Sequence, residues 1–127
     1  MREKLVRGAL AHAGFAPSDL DAVCSRGGLL RHISSGTYEI SDAIVRDVYH
    51  PPYGEHASSL GSVIARSIAD EAGIPAYIVD PPSVDELAPI ARISGFKGME
   101  RESFFHALNQ KAVARKVAEK LGKTYEE

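Results

Sequence analysis

The sequence predicts an α/β fold. Helical apolar spacing alternates with short apolar runs along the chain. Glycine and proline punctuate the ends of those segments, at Gly14, Gly27-Gly28, Gly73 and Pro81-Pro82. The run Ile74-Pro75-Ala76-Tyr77-Ile78-Val79 has the unbroken apolar character of a strand buried on both faces, which is what a parallel sheet demands.

Leu5, Val6, Ala9, Leu10 and Ala13 keep helical spacing, and Gly14 is placed to end that helix. Ala16-Pro17-Ser18-Asp19 is turn chemistry, and residues 20–24 form a short candidate strand closed by Gly27-Gly28. Residues 29–40 read as a hairpin or an irregular excursion around Ser34-Ser35-Gly36. Ser41 or Asp42 caps a short helix carrying Ile44, Val45 and Val48. His50-Pro51-Pro52-Tyr53-Gly54 is loop, because neither proline has an N–H to donate. Leu60, Val63, Ile64 and Ile68 share one face of a longer helix that Gly73 stops, and the strand 74–79 follows. Ser83-Val84-Asp85-Glu86 has the pattern of a capping box and predicts another short helix. The last helix is expected over 103–121, with Leu108, Val113, Val117 and Leu121 as its apolar ridge and Gly122 as its stop.

Composition narrows the function classes. The chain has 127 residues, 44% hydrophobic and 25% charged, which suits one globular domain and not a disordered tail. No apolar run has the length of a bilayer span, and charge interrupts the N-terminus too often for a secretory signal. A net charge of −2 argues against a nucleic-acid partner. A single cysteine, Cys24, excludes an intramolecular disulfide and fits a reducing cytoplasm.

Familiar chemical motifs are missing. Gly122-Lys123-Thr124 has the end of a phosphate-binding loop, but Val117 stands where that loop needs glycine and a helix precedes it. Zinc spacing of Cys and His is absent, and Glu55-His56 beside His50 reads as an ordinary polar loop edge. Asp80 ends the apolar strand, where open α/β sheets bind ligands; it is read either as a ligand-facing carboxylate or as a cap for the next turn. His106 follows Phe104-Phe105 at the start of the last helix, either as a donor to an anion or as a half-buried ring satisfied by a carbonyl, with Asn109 and Gln110 close by. Arg26 and Arg31 are candidate anion ligands or solvated surface charges.

Taken together, Arg26-Gly27-Gly28-Leu29-Leu30-Arg31, Ser35-Gly36-Thr37-Tyr38, Tyr53-Gly54-Glu55-His56-Ala57-Ser58-Ser59-Leu60-Gly61, Ile74-Pro75-Ala76-Tyr77-Ile78-Val79-Asp80-Pro81, Ala91-Arg92-Ile93-Ser94-Gly95 and Phe105-His106-Ala107-Leu108-Asn109-Gln110-Lys111 resemble the butyrate kinases, relatives of the acetate kinases. The resemblance implies an actin-like, ribonuclease H-like ATPase domain, of the superfold shared by sugar kinases, heat-shock chaperones and actin. It implies that residues 1–127 are the central part of the N-terminal lobe. The family's phosphate-loop strand and its adenosine-holding second lobe have no counterpart in these residues, so the chain alone is expected to be inactive. The implied reaction is ATP + butanoate ⇌ ADP + butanoyl phosphate, in the cytoplasm, by a homo-oligomer.

The resemblance carries catalytic roles to Asp80, His106 and Arg26, and substrate-binding roles to His56, Ser58 and Asn109. Asp80 is expected to hold Mg²⁺, directly or through water. Two departures stand out. Val23 occupies the place of the family's substrate arginine, so Arg26 replaces it in space rather than in alignment, and His32 follows Leu-Leu-Arg where the family has proline. A branched-chain fatty acid kinase shares all these motifs. A non-catalytic binding or assembly module that kept the fold is the reading from another class. A nucleic-acid-processing domain needs clustered carboxylates and a different charge.

Overall fold

The computed structural model describes residues 1–126. Among the described residues there are four α-helices and a small mixed sheet: α1 is Arg2–His12, α2 Asp42–Tyr49, α3 Leu60–Ala72 and α4 Ala107–Lys120. The strands are β1 (Val23–Ser25), β2 (Thr37–Glu39) and β3 (Ala76–Val79), in the spatial order β1-β3-β2. β1 runs parallel to β3 with Cys24 opposite Tyr77; β2 runs antiparallel with Tyr38 opposite Ile78. The chain is therefore mixed α/β, as the alternating pattern predicts.

The last strand in sequence is the central one, and its side chains explain why. Ala76 and Ile78 are buried, Ile78 completely, and they pack with Leu30, Ile40, Ala65 and Ala69. Each large aliphatic side chain removed from water here contributes roughly 1.5–3 kcal/mol. The small residues Ala65 and Ala69 let α3 lie close over β1 and β3. Gly73, at φ 67°, ends α3 in the left-handed conformation that a side chain disfavours, and the turn it makes delivers the chain into β3.

Several expected elements differ. Residues 29–40 form the irregular excursion and not the hairpin: β2 finds its partner in β3, and Ile33 bridges in parallel to Val84. That bridge also removes the helix expected at Ser83. The Ser83 hydroxyl, instead of capping, accepts from the Leu30 N–H at 3.3 Å and donates to the Gly28 carbonyl at 3.4 Å. Only a 3₁₀ turn, Pro89–Arg92, forms nearby. α4 begins at Ala107 and not at 103, because the Ser103 hydroxyl is buried and donates to the Val84 carbonyl at 2.6 Å. Val113, Val117 and Leu121 of its expected core ridge are 52%, 47% and 67% exposed.

No helix among the described residues is long and apolar enough to cross a membrane.

Candidate functional site

The site is built around the end of β3. Asp80 leaves the strand at φ 53°, a left-handed conformation that is costly for a residue with a Cβ and marks places where surrounding bonds over-determine the backbone. Here the bonds are visible. Asp80 Oδ1 accepts the Leu108 N–H at 3.0 Å, and Oδ2 accepts the Asn109 N–H at 3.1 Å. Those amides belong to the first turn of α4, whose donors have no partner within the helix. Asp80 is thus the cap of α4 supplied from a distant strand, because the local cap position is His106, which offers no side-chain cap bond. The capping alternative for Asp80 holds in this form, with α4 in place of the next turn.

Arg26 reaches the same carboxylate, Nη2 lying 3.1 Å from Oδ2. Its side chain stays about half exposed while that of Asp80 is buried. Gly27 and Gly28 make this approach feasible. Gly27 has φ 68° and packs against Pro81 and Ile78. A Cβ on Gly28 would lie 2.2 Å from the Ser59 Cα, so only glycine permits the two segments to touch.

His106 sits against Asp80 through the backbone: Nδ1 is 2.7 Å from the Asp80 carbonyl oxygen and 3.6 Å from Oδ2. A carbonyl only accepts, so Nδ1 carries a hydrogen, and Nε2 is the nitrogen left for other contacts. His56 has the opposite arrangement. Its Nδ1 accepts the Ser58 N–H at 3.2 Å and lies 2.6 Å from the Ser58 hydroxyl, which places its hydrogen on Nε2. Ser58 therefore orients His56.

His56 and His106 line one cleft of about 380 Å³ with Leu29, Tyr53, Pro82, Phe104 and Phe105. The structure brings these two histidines together from segments fifty residues apart. Asp80 lies behind His106, not in the wall, and Arg26 borders Asp80 outside the wall. Asn109 is not brought in: it gives its backbone N–H to Asp80, and its side chain lines the groove along α4 with Val113 and Val117. Arg31 is bound to the buried Asp47 through Nε at 2.8 Å and Nη2 at 2.6 Å, so it is an anchor of the fold.

No group of three or more His, Cys, Asp or Glu side chains placed to hold a metal ion occurs among the described residues. Asp80 is the carboxylate the resemblance nominates for Mg²⁺, yet both its oxygens face N–H donors and one faces a guanidinium. That donor set does not fit a directly bound divalent cation, which needs oxygen ligands and repels N–H groups.

Sequence reading missed the aromatic part of the cleft. Tyr53, Phe104 and His32 pack on one another with ring centroids 4.8–5.4 Å apart. The signal that pointed there was His32 itself, at the position where the resemblance has proline.

No family model matches the chain.

Proposed function

We propose that this chain is the carboxylate-holding part of a butyrate kinase-type enzyme, which transfers a phosphoryl group from ATP to butanoate, and that its sheet is part of the actin-like ATPase superfold. The observation that carries the reading is the shared cleft: two histidines with complementary tautomers among apolar and aromatic wall residues, with Arg26 joined to His106 through Asp80. A short carboxylic acid is ionised at neutral pH, so its oxygen attacks the γ-phosphorus without a general base while the bond to the ADP oxygen breaks. What the protein supplies is positioning and charge neutralisation. Arg26 has guanidinium N–H groups beyond the one given to Asp80, and these meet the substrate carboxylate. His56 donates from Nε2–H to an oxygen of the moving phosphoryl group; His106, its Nδ1–H held by the Asp80 carbonyl, keeps Nε2 for other contacts in the cleft. Leu29, Pro82 and Phe105 take the propyl chain. Asp80 acts by position, holding Arg26, His106 and the start of α4 in one frame.

The test is titration of the chain with sodium butanoate, followed by the ring proton resonances of His56 and His106. Saturable shifts of both, weakened in Arg26→Ala, are expected. Unchanged resonances well above the roughly millimolar top of ordinary KM values would reject the reading. One observation favours the non-catalytic module instead, the full commitment of the Asp80 oxygens to helix capping. The same titration separates the two, since a module without a carboxylate site leaves both histidines unmoved.

A further inference from the structure

His32 has a ring that the proposed reaction does not use. Nδ1 lies 3.2 Å from the Ser83 carbonyl oxygen, so it carries the hydrogen and donates. Nε2 is buried and has no hydrogen-bond partner. A nitrogen sealed from the cleft in this way meets no substrate atom, so the ring acts by its shape. Its tether is rigid: the Ser83 hydroxyl is tied to Leu30 and Gly28, and the Ser83 carbonyl also accepts the Ile33 N–H at 3.4 Å. The tilted ring packs on Tyr53 at 4.8 Å and on Phe104 at 5.4 Å, and those two meet edge-on at 5.1 Å. Tyr53 and Phe104 are half-exposed loop residues with no strand or helix of their own to hold them, and both form the cleft wall.

We infer that His32 is a specificity-determining residue of the cleft, its ring holding Tyr53 and Phe104 together as the wall that limits the length of the apolar tail admitted. The inference rests on the carboxylate reading above. It assigns His32 a positioning role and no contact with the reacting atoms. A ring of this size between the two aromatics is the requirement; the bond to Ser83 fixes where the ring stands.

The experiment compares butanoate with hexanoate on the 127-residue chain, both read from the His56 and His106 ring resonances. In His32→Ala and His32→Asn the affinity ratio moves toward hexanoate by about tenfold, the order expected for two methylenes newly accommodated. Asparagine keeps a donor for Ser83 but removes the ring, so it behaves as alanine does. His32→Phe keeps the ring and stays within about twofold of the original ratio. If the His32 substitutions unfold the chain, Tyr53→Ala opens the same wall from its exposed side and gives the same shift. An unchanged ratio in the Ala, Asn and Tyr53 variants overturns the inference, as does a Phe variant that shifts as far as Ala. Butanoate bound normally with the ratio unmoved sinks the role of His32 alone. Failure of the original chain to bind either acid sinks the carboxylate reading and this inference with it.

Discussion

Removing the Asp80 carboxylate tests the distant cap directly. In Asp80→Ala, the Leu108 and Asn109 amides lose the oxygens at 3.0 and 3.1 Å, and Arg26 loses its partner. Loss of a helix cap costs about 1 kcal/mol, with a range of roughly 0.5–2. Alanine must also hold the φ of 53° without the local hydrogen bonding that makes this region tolerable for aspartate, at about 1–2 kcal/mol. The half-exposed ion pair with Arg26 adds little. The sum is about 1.5–4 kcal/mol, a large share of the roughly 5–15 kcal/mol that keeps a domain folded. Asp80→Gly loses the same bonds but adopts the left-handed backbone freely, so it should be milder than Ala by about 1 kcal/mol. Urea unfolding measures the totals, and hydrogen exchange at the Leu108 and Asn109 amides locates the loss at the start of α4. An Asp80→Ala chain within about 0.5 kcal/mol of the original, or a Gly variant less stable than the Ala variant, would refute the reasoning.

Three further outcomes are expected. Gly28→Ala drives a methyl group into the Ser59 backbone at 2.2–2.4 Å, so it should lower stability by at least about 1–3 kcal/mol in thermal melts, whereas Gly8→Ala, with open space around it, should not. The Arg31 guanidinium hydrogen-bonded to Asp47 holds that carboxyl below its ordinary value of 3.8. Its stabilisation is therefore present above that pH and disappears as the pH falls through the lowered folded-state value, so Asp47→Asn should reduce the urea midpoint at pH 7 and flatten its decline in acid. The 127-residue chain, mixed with ATP and butanoate, should form no hydroxylamine-trappable acyl phosphate above buffer; turnover by the purified chain would show that it carries its own nucleotide site.

The sheet and the helices over it were legible because periodicity and end signals agree there. The apolar run 74–79 reads as a buried strand, and its part Ala76–Val79 forms β3, with Ala76 and Ile78 buried and Tyr77 and Val79 only partly so; Gly73 ends the helix before it. The capping-box pattern at Ser83 misled because a hydroxyl's choice of partner is tertiary: Leu30 and Gly28, more than fifty residues earlier, claim it. The same limit applies to the site. The strand-end position of Asp80 was readable from one segment, as was the placing of His106 near a helix start. That Asp80 caps that very helix was not, since the two ends meet only in the folded chain. Asn109 received its role from the resemblance, and no single segment shows that its backbone N–H goes to Asp80 while the residue borders the groove along α4. The Tyr53–Phe104–His32 stack joins three loops, and loops carry no periodicity to read.

The strand order has a consequence for how the chain is made. Neither β1 nor β2 pairs with the other; each waits for β3, which is synthesised last of the three. Among these three strands no pairing forms until residue 79 is free of the ribosome, and Val23, Leu30 and Ile40 lack their β3 neighbours until then. Contacts this distant in sequence form slowly, because loop closure is opposed by entropy before any burial compensates it. α3, which lies between β2 and β3, is the element able to gather early apolar surface through Ala65, Ile68 and Ala69. Vectorial synthesis thus gives this chain a long interval in which chaperone binding competes with strand pairing, and the arrival of one tetrapeptide, Ala76–Val79, ends it.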